Sequence, residues 1–272
     1  IIYIALPTSF HYELISKCLE KGKKVLVEKP ATMNSSEIIE IKKNYFDKEI
    51  FFFEAFMYMH HPQIKKTIEL INKGKIGKLI SMESTFGKDI LTKKNFFGLK
   101  KKKKLNPKNR IFNKKLGGGA ALDLGCYPVS FSTLIGSQIS KIDYDKVQVL
   151  NIKKEIGSTN VDLDSYMDLH FENNFISKIS ASFTKNLGKE SKIIGTQGEL
   201  MLKDTWHANP AIITIKNGSF KEIKINSNQN IYSYEIDVMS QCILDGKKKI
   251  DFPESTIDDI IGNMKILDKW LN

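Results

Sequence analysis

The fold turns on one stretch, Lys24-Val25-Leu26-Val27-Glu28-Lys29-Pro30. Three apolar residues end at a charged pair and a proline, which predicts a short buried strand whose tip is turned by Pro30. Upstream, His11, Leu14, Ile15, Cys18 and Leu19 recur at helical spacing, and Gly22 stands where that helix should stop. Ahead of this helix, Ile1 to Leu6 is apolar and partly β-branched, which predicts a fully buried strand with Thr8 or Ser9 as the helix N-cap. Downstream, Asn34 with Glu37 three residues on resembles a capping box for a second helix. Ile50 to Phe53 then reads as a third strand, ending at Glu54-Ala55-Phe56. Strand, helix, strand, helix, strand with short links predicts a doubly wound parallel sheet.

After Pro62 the pattern changes. A helix is predicted at about Gln63 to Asn72, and then the period becomes two. Ile80, Met82 and Phe86 alternate with Ser81, Glu83 and Thr85. Met167, Leu169 and Phe171 alternate with Asp168 and His170, and Phe175, Ile179, Ala181 and Phe183 form a third series. These are half-buried antiparallel strands. Near the end, Ile257, Ile260, Ile261, Met264 and Leu267 form one helical stripe, with Ser255 as its expected cap. The division is therefore expected at residues 1–58 and 59–272, an α/β part followed by an α+β part with an open, mostly antiparallel sheet. The Lys100 to Lys104 run, flanked by Asn106-Pro107, is expected to be an exposed loop.

The chain has 272 residues, 41% of them hydrophobic, with 42 Lys+Arg against 31 Asp+Glu and a formal charge of +11. That apolar share excludes wholesale disorder. A charge of this size suggests polyanions until it is itemised, because Arg110 is the only arginine and 41 basic residues are lysine. Specific readers of nucleic acid rely on the bidentate arginine fork, so no nucleic-acid partner is expected. No run approaches the ~20 apolar residues of a membrane-spanning helix, so no membrane partner is expected either. Cys18, Cys126 and Cys242 are far apart and outside metal-ligand spacing, which disfavours a disulfide scaffold or zinc site and points to the cytoplasm. His60-His61 lacks further convergent donors, so no metal is expected.

Two constellations could carry chemistry. In a parallel α/β sheet, ligands gather at the carboxyl ends of the strands. Lys29, at such an end and ahead of a turn-fixing proline, would direct its ammonium at a ligand there. The second is Gly117-Gly118-Gly119-Ala120-Ala121-Leu122-Asp123-Leu124-Gly125-Cys126-Tyr127-Pro128. Its glycines allow a close backbone approach before a helix. Asp123 and Tyr127, four apart, would share one face of that helix. A lysine beside Tyr127 would favour the phenolate and make it a general acid or base. Taken alone, the same residues serve equally well as a turn-capping Asp and a packing Tyr.

The ordered set resembles the Gfo/Idh/MocA family of NAD(P)-dependent oxidoreductases. It rests on Glu28-Lys29-Pro30 at a strand tip followed by G-G-G-x-x-x-D-x-G-x-Y, with Ala5-Leu6-Pro7-Thr8-Ser9-Phe10-His11, Glu54-Ala55-Phe56-Met57-Tyr58, His60-His61-Pro62 and the ending around Met264 to Trp270. The chain is similar to the branch containing glucose–fructose oxidoreductase and dimeric dihydrodiol dehydrogenase. This resemblance implies a partial Rossmann doubly wound parallel sheet followed by a substrate domain, whose C-terminal helix packs back on the Rossmann part. It implies NAD or NADP as cofactor, hydride transfer at a hydroxyl-bearing carbon of a sugar, sugar derivative or cyclic diol, and a homodimer formed through the open sheet. The family's catalytic lysine maps onto Lys29. The proton-handling residue, usually His but Tyr in this branch, maps onto Tyr127, with Asp123 as its substrate-orienting partner. Pro7, Thr8, His11, Glu28, Lys29 and Glu54 map onto the cofactor crevice. The branch favours Arg where this chain has Met59.

One departure is larger. No G-x-G-x-x-G stands in these residues, nor the charged residue beyond it that chooses NAD or NADP. Set against the family, Ile1 to Leu6 becomes the fourth Rossmann strand, and the expectation is a longer gene product with roughly 60 residues ahead of it. The alternative is a non-catalytic, ligand-binding or regulatory relic of the same fold.

Overall fold

The computed structural model describes residues 1–45, 50–94, 98–227, 229–247 and 252–272. Strands β1 (Ile2–Ile4), β2 (Val25–Glu28) and β3 (Phe52–Ala55) form a parallel sheet in that order, with Val25 opposite Ile2 on one side and Phe52 on the other. The connections are α1 (His11–Glu20) and α2 (Ser35–Tyr45). Central β2 is buried, as a strand covered on both faces should be. The expectation of a fully buried first strand is corrected. Ile4 is buried, but Ile2 and Tyr3 are about half exposed, because β1 pairs on one side only among the described residues.

The predicted cap of α1 also differs. A 3-10 turn over Thr8–Phe10 leads into the helix, and Phe10 N donates to Pro7 O at 2.9 Å, so neither Thr8 nor Ser9 caps with its side chain. For α2 the box closes one residue outside its ideal form. Asn34 Oδ1 accepts from Glu37 N at 3.1 Å, and the Glu37 carboxylate accepts from Met33 N at 2.9 Å.

After α3 (Pro62–Asn72) the chain enters β4 (Leu79–Gly87) and a two-stranded ribbon, β5 (Thr92–Lys94) with β6 (Lys100–Lys102). The first three lysines of the run, Lys100–Lys102, are therefore ribbon rather than loop, with their main chain paired and the side chain of Lys101 exposed. Lys103 and Lys104 follow outside the strand, exposed as expected. Next come α4 (Cys126–Gly136), β7 (Gln148–Ile156), β8 (Asp162–His170), β9 (Ile176–Ser182), β10 (Ser191–Gly195), β11 (Gly198–Leu202), β12 (Ile212–Asn217) and β13 (Ser219–Lys224). With β4 they form an eight-stranded sheet ordered β13-β12-β11-β10-β4-β9-β8-β7, antiparallel throughout except for the β4–β9 pair. The alternating series hold for Met82, Met167, Leu169, Ile179 and Ala181, all fully buried, but Ile80, expected on the inner face, is exposed near the start of β4.

Every residue of α4 is buried. A helix with no polar face must be covered on all sides, and the sheet and α6 (Ile257–Leu271) cover it. Helix α6 also reaches α2, where Asp268 Oδ2 accepts from Ser35 N at 2.9 Å. Its cap is Thr256, closing a box with Asp259, rather than Ser255, whose hydroxyl lies against Met59 Sδ at 3.7 Å. Helix α5 (Ile231–Leu244) lays Met239 and Cys242 against Leu26, Phe51, Phe53 and Ala55 of the parallel sheet. No helix among the described residues is long and apolar enough to cross a membrane.

Candidate active site

The tips of β1 and β2 meet the glycine-rich motif. Gly117 has φ +82°, and a Cβ there would lie 2.9 Å from Thr8 Cβ and 3.0 Å from Met33 Sδ, so a larger residue would push the motif off the strand tips. Asp162 of β8 accepts from Ala121 N at 2.7 Å, satisfying an amide at the head of the following turn. That turn, Ala121–Gly125, has π-helical spacing before α4 begins. In a π register the donor for the Asp123 carbonyl would be the amide of residue 128, and Pro128 has none. Lys29 fills the place: its Nζ donates to Asp123 O at 2.7 Å.

The same ammonium lies 3.4 Å from Asp123 Oδ1 and 4.7 Å from the centroid of the Tyr127 ring. Arg110 Nη1 donates to Asp123 Oδ1 at 3.1 Å. The Tyr127 hydroxyl donates to Met57 Sδ at 3.4 Å, a weak acceptor, and its ring packs edge-on against Phe56 and Phe86. Lys29, Asp123 and Tyr127 are thus brought together, as expected. Pro7, Thr8, Glu28 and Lys29 line one cavity of about 190 Å³ with Ala5, Leu6 and Arg110. His11 and Glu54 do not line it. The ring nitrogens of His11 face Leu6 O at 2.8 Å and Pro30 O at 3.1 Å, tying the two strand tips together. Glu54 is buried, with Oε1 accepting from Ala31 N at 2.7 Å.

The charges follow from burial and neighbours. Burial alone would raise the Asp123 carboxyl, but Lys29 and Arg110 outweigh it and hold the group below its usual range. Burial alone would lower Lys29, but the nearby Asp123 carboxylate reverses this, so it stays charged. For Tyr127, burial raises the hydroxyl, and the opposing effect of Lys29 is smaller. The expectation of a favoured phenolate is therefore corrected: the ammonium sits over the ring face, and the hydroxyl is in an apolar layer. Tyr127 is a neutral phenol, a proton donor held beside a fixed positive charge.

The two histidines weighed as ligands are otherwise engaged. His60 Nε2 lies 2.6 Å from Glu254 Oε2, and His61 Nδ1 accepts from Gln63 N as the cap of α3. Arg110, noted in the sequence only as the one arginine, borders the cavity and reaches Asp123. Its signal was its singularity, one arginine among 42 basic residues.

The cavity is smaller than the ~300–1,000 Å³ of a whole-ligand site, so it suits one end of an elongated ligand. Its lining, a charged lysine and arginine with Glu28 and the Thr8 hydroxyl, suits the polar nicotinamide–ribose end of a dinucleotide. Residues 1–53 match the oxidoreductase family with an NAD-binding Rossmann fold, and residues 64–201 match the Gfo/Idh/MocA C-terminal domain. A trans-1,2-dihydrobenzene-1,2-diol dehydrogenase of Xenopus tropicalis is 26% identical over 92% of this chain and 71% of its own length. The fold is shared with a 3-ketoreductase from Actinomadura kijaniata in complex with NADP and TDP-benzene, at TM-score 0.78 and 18% identity, over 98% of this chain and 75% of the other. It is shared equally with an aldose-aldose oxidoreductase from Caulobacter crescentus, at TM-score 0.80 and 16% identity over the same shares. With one family domain matched on each side of Pro62, the chain belongs to the Gfo/Idh/MocA oxidoreductases.

Proposed function

We propose that this NAD(P)-dependent oxidoreductase acts at a hydroxyl-bearing carbon of a sugar, sugar derivative or cyclic diol, with Lys29, Asp123 and Tyr127 as its catalytic set. The observation that carries the proposal is the position of Lys29, bonded to the Asp123 carbonyl with its ammonium over the Tyr127 ring at the mouth of the strand-tip cavity. When bound, the nicotinamide supplies or accepts the hydride. Tyr127, protonated at neutral pH, gives its proton to the substrate oxygen during carbonyl reduction and takes it back during alcohol oxidation. Lys29 places a permanent positive charge where alkoxide character develops. Asp123, ionised, accepts from a second substrate hydroxyl and orients the sugar or diol. Pro7, Thr8 and Glu28 border the cofactor end, while His11 and Glu54 support it from beneath.

The remaining parts of the reading are proposals of the same kind. Residues 1–58 are the cofactor part and 59–272 the substrate part. The outer face of the large sheet, with Glu83, Lys178 and Lys192, is where a second copy would pair, and three widely spaced cysteines suit a cytoplasmic protein. Light scattering after gel filtration tests the dimer.

Steady-state oxidation of NADH and NADPH with a panel of ketoses and diols tests the activity. Tyr127→Phe should lower turnover by roughly 10²–10⁴-fold while leaving dinucleotide affinity in place. Wild-type turnover in that variant would sink the acid–base assignment. Binding of the dinucleotide with no turnover on any substrate would favour the non-catalytic alternative.

A further inference from the structure

We propose that Arg110 is a positioning residue: together with Lys29 it grips one oxygen of the Asp123 carboxylate, Oδ1, and leaves Oδ2 as the acceptor for a substrate hydroxyl. The inference rests on the reading of Asp123 as the substrate-orienting group. Both cations converge on the same atom, with Arg110 Nη1 at 3.1 Å and Lys29 Nζ at 3.4 Å. Nothing among the described residues donates to Oδ2, and it is not a buried orphan. Without the arginine, the carboxyl could rotate about its last bond and offer Lys29 either oxygen.

The main chain carrying Arg110 is built into the motif that carries Asp123. Asn109 Oδ1 accepts from Ile111 N at 3.2 Å and caps the short turn Arg110–Phe112. Gly118 N donates to Asn113 O, and Gly119 N to Ile111 O, each at 3.0 Å. A Cβ on Gly118 would stand 2.5 Å from Arg110 O, so the two segments touch backbone to backbone. Arg110 and Asp123 therefore belong to one rigid piece, although thirteen positions separate them. The guanidinium itself is about half exposed and borders the cavity, so the grip is applied at the site's entrance. In a chain whose other basic residues are all lysine, the planar fork is what distinguishes this position. A lysine would bring the charge as a mobile point without the fixed geometry.

Arg110→Lys and Arg110→Gln, made in the full chain, separate charge from geometry. Carbon-13 NMR of aspartate-labelled protein, with Asp123→Asn identifying the signal, follows the Asp123 carboxyl directly and needs no turnover. Its midpoint should rise by about one pH unit in Arg110→Gln, as for a carboxylate losing a close cation, and by less in Arg110→Lys. In turnover with D-glucose and trans-cyclohexane-1,2-diol as probes, at saturating NADPH, both variants should raise KM for the probe. The acid limb should move upward further in the Gln variant than in the Lys variant. An unchanged midpoint in Arg110→Gln, or an Arg110→Lys variant with wild-type KM, overturns the proposal. If the parent protein binds NADPH but turns over neither probe, the wider functional reading fails, and the NMR midpoint still decides the role of Arg110.

Discussion

Lys29 stands on the face of the Tyr127 ring, 4.7 Å from its centroid, while the tyrosine hydroxyl, among the described residues, donates to the sulfur of Met57. This arrangement keeps a neutral acid and a positive charge side by side without a direct bond between them. Their separation matters because a phenol that had lost its proton could not give one up during reduction. The charge of Lys29 also keeps partly buried Asp123 ionised. Removing it should affect both partners. In Lys29→Met the titrations of Tyr127 and Asp123 should both move upward, and turnover should fall by roughly 10²–10³-fold, as for loss of one fixed electrostatic contact. Ultraviolet titration of tyrosinate and steady-state kinetics check the two halves of this expectation. A variant with unaltered kinetics would show that the ammonium does not face the reacting oxygen.

At the scale of elements, the π turn over Ala121–Gly125 and the proline after it act together. Pro128 has no amide to give the Asp123 carbonyl, which accepts instead from Lys29 Nζ and, more weakly, from the Cys126 thiol. Pro128→Ala restores an N–H and lets the helix compete for that carbonyl. The expected cost in stability is about 1 kcal/mol or less, chiefly from the freer unfolded chain. The expected loss in turnover is larger than that, because the lysine loses its anchor. Thermal melts alongside kcat/KM distinguish the two effects, and a parallel fall in both would mean that Pro128 serves stability alone. Element recognition itself was uneven. The β1–α1–β2–α2–β3 order was legible because each piece carries its own period and the first three stop at Pro7, Gly22 and Pro30. Helix α5 was not. Its buried stripe is Glu235, Met239 and Cys242, a charge where the pattern wants a hydrophobe, and Tyr232, Ile236 and Leu244 are exposed on the outside. Its apolar residues point both ways, and only docking on the parallel sheet decides which side is inner.

Across the whole molecule, the two sheets and α5 enclose carboxyl groups that no local pattern marks. Glu54 and Glu235 are buried, and desolvation with the nearby Glu254 charge pushes each carboxyl up to about 8. An unfolded glutamate titrates near ~4.3, so between that value and about 8 the folded state holds protons that the unfolded state has lost. This contribution to stability is complete at low pH and is lost as pH rises toward 8. The slope approaches ~1.4 kcal/mol per pH unit for each group. Urea unfolding at about pH 5 and about pH 8 should show lower stability at the higher value, with Glu54→Gln flattening the difference. Equal stability at both would mean that these carboxyls are ionised in the folded protein.

By itself the sequence determined the strand–helix alternation, the change to a period of two after Pro62, and the residue set Lys29, Asp123 and Tyr127. Periodicity, capping and turn chemistry are local, and the ordered motifs are specific. Tertiary structure decided what those residues do to one another. Lys29 meets Asp123 across 94 positions, and Arg110 takes the same carboxylate oxygen from the other side. Burial reverses the expected titration of Tyr127. Such effects depend on distance and on exclusion of water, and neither is set until distant segments pack.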